Sequence, residues 1–279
     1  MSRNTTSPSS ASSAAPRIRP IRIGMINVIG TWTLYQREVM RFVKIMTQTV
    51  FAPMTTAILF MAVFAVAVGD RITDSGDVPY VVFLGPGLVM MAVLQNAFAN
   101  TSSSLVVGKV QGNIVDLLMP PLGPLEILVA MVAAGITRGL MVGAVTAITL
   151  ALLGSSGFPV HPLTAFVFLF LGSGVMALAG VITGVWSTKF DGLAAVTNFI
   201  VQPMIFLSGT FYSIKQLPPP FDALALYNPV FHMIDGYRYA VIGTASFSPL
   251  KGGLILFGIM LVLGVISWRI LGTGYKLKA

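Results

Sequence analysis

The chain has 279 residues, of which 55% are hydrophobic and 9% are charged, with a net charge of +8 and no cysteine. The charged fraction is far below the roughly 25% of a soluble domain, so the folded surface must meet lipid. The missing cysteines exclude disulfide frameworks, thiolate metal sites and cysteine nucleophiles in this chain. Composition therefore predicts an all-α membrane protein that crosses the bilayer several times.

The positive charge does not indicate nucleic-acid binding, because no aromatic and basic residues interleave as they do in such proteins. Instead, a basic cluster precedes the first long apolar run: Arg17, Arg19, Arg22, Arg37, Arg41 and Lys44. Clusters of this kind set membrane topology and attract anionic headgroups.

The first segment, residues 1–20, is rich in Ser, Thr, Ala and Pro and is predicted to be a disordered tail. It lacks the apolar core of a secretory signal peptide. A Ser-rich, acid-poor start also fits an organellar transit peptide, and this alternative stays open.

Residues 31–46 show the pattern of an amphipathic helix. Apolar residues recur at alternating three- and four-residue spacing along one face: Trp32, Tyr35, Val39, Phe42 and Met46. Basic residues occupy the opposite face: Arg37, Arg41 and Lys44. We expect this helix to lie in the membrane interface. A cytoplasmic helix packed against protein is the alternative.

Six apolar runs follow: 50–68, 81–99, 127–153, 163–185, 193–211 and 254–271. Each is close to the roughly 20 residues that cross the hydrocarbon of a bilayer. We therefore predict that residues 21–279 form one transmembrane domain of six spans preceded by the interfacial helix. The Lys and Arg bias of the connecting loops predicts that both termini are cytoplasmic.

Small residues recur every fourth position on the third and fourth spans, as in Gly135, Gly139 and Gly143 and in Gly180 and Gly184. This spacing predicts close helix packing.

Polar residues inside the spans are few. Arg138 lies near the middle of the third run, where a charge costs roughly 2.5–3.5 kcal/mol, and we favour a structural partner for it over a substrate. Four amides are candidates for lining a pathway or for hydrogen bonds between helices: Asn96, Asn100, Asn198 and Gln202.

The chain lacks the sequence patterns of several enzyme classes. No G-x-x-x-x-G-K-[ST] loop, H-E-x-x-H helix or G-x-S-x-G turn is present. None of the nine carboxylates lies in the middle of a predicted span, which argues against an ion-coupled transporter. We expect no catalytic residue, cofactor or metal in this chain, and an energy source in another subunit.

The most specific segment follows the fifth predicted span. It combines an F-x-S-G-x-F stretch with a later proline, an Asn-Pro pair and an arginine: Phe206, Ser208, Gly209, Phe211, Pro218, Asn228, Pro229 and Arg238. This pattern resembles that of the ABC-2 type permeases, and the resemblance extends over about residues 32–270. It implies short re-entrant helices that close the outer end of a transport pathway. A purely structural role, with Gly209 allowing close approach, stays open.

The first long loop resembles the stretch in which that family forms a cytoplasmic coupling helix, through Lys109, Gly112, Leu117 and Glu126, with Pro121 as its proline. The resemblance implies a set of residues that contact an ATPase: Arg37, Glu38, Lys109, Asn113, Asp116 and Glu126. An ordinary solvated loop would look similar.

As a whole, the resemblance implies a permease subunit of an ATP-driven ABC exporter in a bacterial inner membrane. Two copies, or this chain and a similar permease, would form the pathway, and separate subunits would bind ATP and Mg. One alternative is an autonomous ion-coupled transporter or channel. Another is a lipid enzyme that uses Asp222, His232 and Asp235. The sequence does not distinguish drugs, lipids and lipid-linked glycans as cargo.

Overall fold

The computed structural model describes residues 27–68, 78–155, 157–214 and 225–276, and the regular secondary structure of these ranges is helical. The predicted tail, Pro218 and Asp222 lie outside the described residues.

In chain order the described helices are α1 (Val28–Val43), α2 (Met46–Val68), α3 (Tyr80–Val110), α4 (Ile114–Leu118), α5 (Pro124–Leu152), α6 (Pro162–Trp186), α7 (Phe190–Val196), a π-helical turn (Thr197–Val201), α8 (Gln202–Phe206), α9 (Pro229–Ile242) and α10 (Pro249–Thr273). Four of them, α5, α6, α9 and α10, begin with a proline, whose missing N–H costs no hydrogen bond at that position. Both α9 and α10 end at a glycine with positive φ, Gly243 and Gly274.

Five helices within the described ranges are long and apolar enough to cross a membrane: α2, α3, α5, α6 and α10. They correspond to five of the six predicted spans. The remaining prediction, 193–211, was too long at its C-terminal end. There the structure has the 17-residue segment Phe190–Phe206, made of α7, the π-helical turn and α8. At 1.5 Å per residue it extends about 25 Å, which is less than the roughly 30 Å of a hydrocarbon core.

Proline explains the irregularity of this segment. Pro203 has no N–H to donate, and its ring displaces the carbonyl group four residues earlier, so the preceding turn widens to the π form.

α1 precedes the first span, and its buried residues are Leu34, Glu38 and Phe42. The location of this helix in the membrane interface stays a prediction. Trp32 remains 56% exposed. Arg41, predicted on the basic face of this helix, contacts the bundle, because its guanidinium donates to the backbone oxygen of Asn100 at 2.6 Å.

The core of the bundle is formed by α3, α5 and α6, whereas α2 and α10 are mostly uncovered. The predicted small-residue packing is confirmed. A Cβ atom placed on Gly135 would lie 2.8 Å from the Cβ of Ala177, and one on Gly180 would lie 2.5 Å from the carbonyl oxygen of Phe98. These contacts hold α3, α5 and α6 closer together than larger residues would permit.

Several helix termini meet at one end of the bundle, which we call the basic end. Lys109 at the end of α3 contacts the last carbonyl groups of α6, and Lys276, after α10, donates to the oxygen of Trp186 at 3.3 Å. The start of α5 joins them, since Pro124 lies beside Gly272.

The first described residue, Asn27, also lies at the basic end, where its N–H contacts Glu126. The described chain therefore begins and ends on the same side of the bundle. The opposite side, where α9 meets the start of α3, is called the motif end.

Candidate functional site

At the motif end, Asn228 joins α8 to α9. Its Nδ2 donates to the carbonyl oxygen of Met204 at 2.8 Å and to Oγ of Ser208 at 2.9 Å. Its Oδ1 accepts from the N–H of Val230 at 3.0 Å and so caps α9, whose first residue is Pro229. The Asn-Pro pair thus begins a helix and fixes that helix to the end of the preceding one.

Arg238 holds the loop between these helices. Its Nη2 donates to the carbonyl oxygen of Gly209 at 2.8 Å, and its Nε donates to the carbonyl oxygen of Phe83 at 3.3 Å. The guanidinium carbon lies 3.8 Å from the centre of the Phe83 ring, a cation–π contact. Gly209 has a φ of +73°, which side chains with a Cβ rarely adopt.

The charge of Arg238 persists although its side chain is buried. Desolvation lowers the pKa of the guanidinium to about 10, while Asp235 and Tyr80 act in the opposite direction. Because this value is well above neutral pH, α9 carries a buried positive charge. A cation so placed holds neutral carbonyl groups more strongly than a neutral donor would.

Aromatic rings complete the motif end. Phe206 and Phe211 stack with ring centres 5.5 Å apart, and Phe211 stacks on Phe64 of α2 at 4.9 Å. The hydroxyl of Tyr80 donates to the carbonyl oxygen of Phe211 at 2.8 Å. The motif thereby links α8 to α2 and α3.

The structure brings together all the described members of the predicted motif: Phe206, Ser208, Gly209, Phe211, Asn228, Pro229 and Arg238. Their structural role is therefore visible. Their role as an outer gate stays a prediction.

Asp235 and His232 also make local structural contacts. The Asp235 carboxylate accepts from the N–H groups of Ser246 at 3.0 Å and Phe247 at 2.9 Å, just before α10. His232 uses Nε2 in a 2.9 Å hydrogen bond with the carbonyl oxygen of Leu226. Each side chain is thus bound to backbone, rather than to the other as a catalytic pair.

At the basic end, Glu126 connects α5 to α1. Its carboxylate accepts from the N–H of Gly123 at 2.6 Å and from the N–H of Asn27. Asn27 in turn caps α1 by accepting from the N–H of Gly30 at 2.8 Å. One carboxylate therefore holds the starts of two helices.

A groove of about 390 Å³ lies between α1 and α4, and we call it the coupling groove. Its wall includes Arg37 from α1 and Asp116 from α4, with Leu117 and Pro120 beside them. Asn113 is exposed directly before α4, which is the short helix predicted in this loop. The groove thus presents side chains of both charges beside apolar surface.

Lys109 was predicted to contact an ATPase, and the structure gives its amino group internal partners. Nζ donates to the carbonyl oxygens of Gly184 at 3.0 Å and Ser187 at 3.1 Å, and also to that of Val185. A lysine at a helix C-terminus satisfies carbonyl groups that have no partner within the helix.

Glu38 is likewise internal, with 2% exposure. Its carboxylate lies 3.2 Å from Nε of Arg41 and 3.4 Å from Nη2 of Arg37. Arg41 extends this network to Asn100 of α3. Of the predicted contact residues, Arg37, Asn113 and Asp116 are thus the ones whose side chains are on the surface.

The candidate pathway amides are mostly engaged. Asn96 accepts from Nη2 of Arg138 at 3.1 Å, and Gln202 accepts from Nε2 of Gln95 at 3.0 Å. Asn198 is exposed on the π-helical turn. The expected structural partner of Arg138 is thus an amide, and this link was not predicted because it joins positions 42 residues apart.

Sequence reasoning also missed the role of Arg41. A signal was present, since Arg41 lies three residues after Glu38, where helix side chains meet.

These features define a multi-pass helical membrane protein with a hydrogen-bonded loop between α8 and α9 and a surface groove at its basic end. Residues 30–242 match the model of the ABC-2 type transporter family, and the chain belongs to this family of transport permeases.

The chain is similar to the inner membrane transport permease YadH of Escherichia coli strain K12, with 36% identity over 256 residues that cover 88% of this chain and 96% of the relative. It is also similar to nodulation protein J of Rhizobium leguminosarum bv. viciae, with 23% identity over 88% of this chain and 93% of that protein.

Proposed function

We propose that this chain is the membrane subunit of an ATP-driven exporter in a bacterial inner membrane. Two copies would form the pathway, and a separate subunit would bind ATP and Mg and supply the energy. ABC-2 permeases typically pair with an ATP-binding subunit, and the name of the YadH relative assigns that protein to the inner membrane.

The coupling groove is the observation that carries this proposal. It combines the exposed side chains of Arg37 and Asp116 with apolar surface, a composition suited to holding a protein partner. It also lies where Glu126 joins α1 to α5. A partner seated in the groove would therefore act directly on a spanning helix.

We assign the basic end to the cytoplasm. Exposed cations are frequent there, among them Lys44, Lys189 and Arg269. Positive residues near membrane spans are retained on the cytoplasmic side. The described chain begins and ends at this side, so the assignment gives both termini a cytoplasmic location.

Movement would pass from the groove to the motif end along two routes. One runs through Glu126 into α5, and the other runs from Arg41 to Asn100 of α3. α3 continues to Phe83, which contacts Arg238. Shifting the permease between two conformations from a population ratio of 1:99 to 99:1 needs about 5.5 kcal/mol of differential binding free energy. In this proposal, closure of the partner around ATP supplies it.

The test is co-purification of the ATP-binding partner from native membranes, followed by an ATPase assay. Asp116→Arg and Arg37→Glu reverse charges in the groove and should release the partner or abolish coupled ATPase activity. Lys251→Glu, an exposed reversal at the first turn of α10, is the matched control and should retain both.

A partner that stays bound with unchanged ATPase activity in both groove variants would contradict the docking assignment. If no ATPase co-purified with the wild-type protein, an ion-coupled transporter or channel would become the better explanation.

A further inference from the structure

We propose that a cavity between α2, α3 and α5 binds the acidic headgroup of an amphiphile, with Arg138 as the residue that binds the anion. This Arg138 cavity has a volume of about 360 Å³. Its wall includes Gln48, Ala52, Ala57, Met91, Asn96 and Arg138.

Arg138 is the central residue of α5 and is only partly bound by the protein. Its Nη2 donates to Asn96, whereas its Nε is buried without a partner. The ring of Phe42 lies 6.0 Å from the guanidinium carbon, at the outer limit of a cation–π contact. A guanidinium has five N–H donors, so most of its binding capacity is unused.

No carboxylate within the described residues neutralises this charge. The ion pairs found there join Glu38 to Arg37 and to Arg41, so that acid is already occupied. A lone charge at the depth of a membrane span is costly unless it pairs or faces water. An anion bound in the cavity would neutralise this charge.

Near the cavity, a second polar side chain of α3 has a donor without a partner. Asn100 lies one turn of α3 beyond Asn96, and both its carbonyl oxygen and its Oδ1 accept from Arg41. Its Nδ2 is buried without a partner. An acceptor-rich anion such as a phosphate or a carboxylate suits a region with unused donors and excess positive charge.

Part of the remaining wall is apolar and suits an alkyl tail. Ala52, Pro53, Ala57 and Leu88 line the cavity, together with polar side chains that include Gln48, Thr49, Thr56 and Gln95. Its wall on α2 extends from Gln48 to Ala57, a rise of about 14 Å. Because α2 is largely uncovered, a chain attached to the headgroup can pass beside it into lipid.

The ligand class that fits is thus an amphiphile with a phosphate or carboxylate head and an alkyl tail. The assignment of this amphiphile as cargo rests on the proposed export function. The assignment of the binding site does not, because binding requires neither the ATP-binding partner nor transport.

The experiment measures binding of a fluorescent phosphatidylglycerol to the purified permease in detergent, without any ATPase. A phosphatidylcholine with the same tails and label tests the need for net negative charge. Glycerol phosphate, added as competitor, tests whether the headgroup suffices without the tail.

The variants are Arg138→Gln, Arg138→Lys and the matched control Arg269→Gln, which removes an exposed cation of α10. We expect saturable binding that prefers phosphatidylglycerol. Arg138→Gln should weaken it by about tenfold or more, the loss typical of a charged hydrogen bond. Arg138→Lys should retain most of the affinity, and Arg269→Gln should match the wild type.

Equal binding of the two lipids, or wild-type affinity in Arg138→Gln, would overturn the proposal. Displacement of the lipid by an equal concentration of glycerol phosphate would assign the site to a soluble anion and overturn the amphiphile. If Arg138→Gln does not fold, Ala99→Phe decides, because it fills the cavity while the guanidinium remains. Unchanged binding in that variant would also overturn the proposal.

Discussion

The guanidinium of Arg238 donates a 2.8 Å hydrogen bond to the carbonyl oxygen of Gly209 and thereby fixes α9 to the loop after α8. The same side chain reaches the carbonyl oxygen of Phe83 in α3. Three chain segments that are distant in sequence thus meet at one buried cation.

Replacing Arg238 by lysine should destabilise the motif end although the charge is kept. A lysine ammonium has no planar fork to reach both carbonyl groups and stacks poorly on Phe83. We expect a loss of about 1.5–3 kcal/mol, the range for a hydrogen bond to a charged group. The readout is the melting temperature of the purified protein. Arg269→Lys, on the exposed surface of α10, should melt like the wild type.

Gly209→Ala tests the backbone at the same point. Placing a side chain at a φ of +73° costs about 1–2 kcal/mol. We therefore expect a lower melting temperature and reduced transport, since the Arg238 contact depends on this turn. Gly258→Ala is the control, because a Cβ there meets nothing within 4 Å. Equal melting temperatures of the Gly209→Ala and Gly258→Ala proteins would contradict the role assigned to this turn.

Gly180→Ala should separate α6 from α3. The added Cβ would lie 2.5 Å from the carbonyl oxygen of Phe98, which is backbone and cannot rotate away. Overpacking of this kind costs about 1–3 kcal/mol. Gly264→Ala, in α10, has open space around its Cβ. Thermal unfolding of the two variants should differ clearly, and the absence of a difference would mean that α3 and α6 can move apart easily.

Much of the fold follows from apolar run length. Spans such as 81–99 and 163–185 lie within α3 and α6, because a lipid-exposed backbone must satisfy its own hydrogen bonds as a helix. The glycine spacing on α5 and α6 likewise predicted which faces pack. These features are local in sequence and need no knowledge of neighbouring helices.

The site was harder to predict because its contacts are long-range. A lysine such as Lys109 in a predicted loop looks available for a partner, yet its amino group is held by the end of α6, more than 70 residues away. The predicted C-terminal boundary of the fifth span was wrong for a different reason. Hydropathy continues to Phe211, whereas the helix stops at Phe206, before the positive φ of Gly209.

Lys109→Met distinguishes a structural lysine from a docking lysine. Losing Nζ leaves the last carbonyl groups of α6 without their donor, so we expect a lower melting temperature. The folded fraction should still retain the ATP-binding partner in co-purification. Lys189→Met, an exposed lysine just before α7, controls for loss of charge and should be stable. Loss of the partner from well-folded Lys109→Met protein would restore the docking interpretation.

Glu126→Gln tests the link between α1 and α5. A neutral amide has a single acceptor oxygen and holds the two N–H groups less strongly than a carboxylate. We expect the partner to remain bound while transport-coupled ATPase activity falls severalfold. Asp191→Asn, an exposed acid in the first turn of α7, is the control and should be unaffected. Normal coupling in Glu126→Gln would exclude this carboxylate from the route.

The junction between α1 and α2 has a mechanical consequence. Lys44 and Ile45 alone separate the two helices, and the N–H of Ile45 donates to the carbonyl oxygen of Phe42 at 3.2 Å. The N–H of Thr49 then donates to the carbonyl oxygen of Ile45 at 3.0 Å. A connection this short leaves little freedom for the two helices to move independently. We therefore expect a tilt of α1 at the basic end to move α2, which is the least buried of the candidate membrane spans.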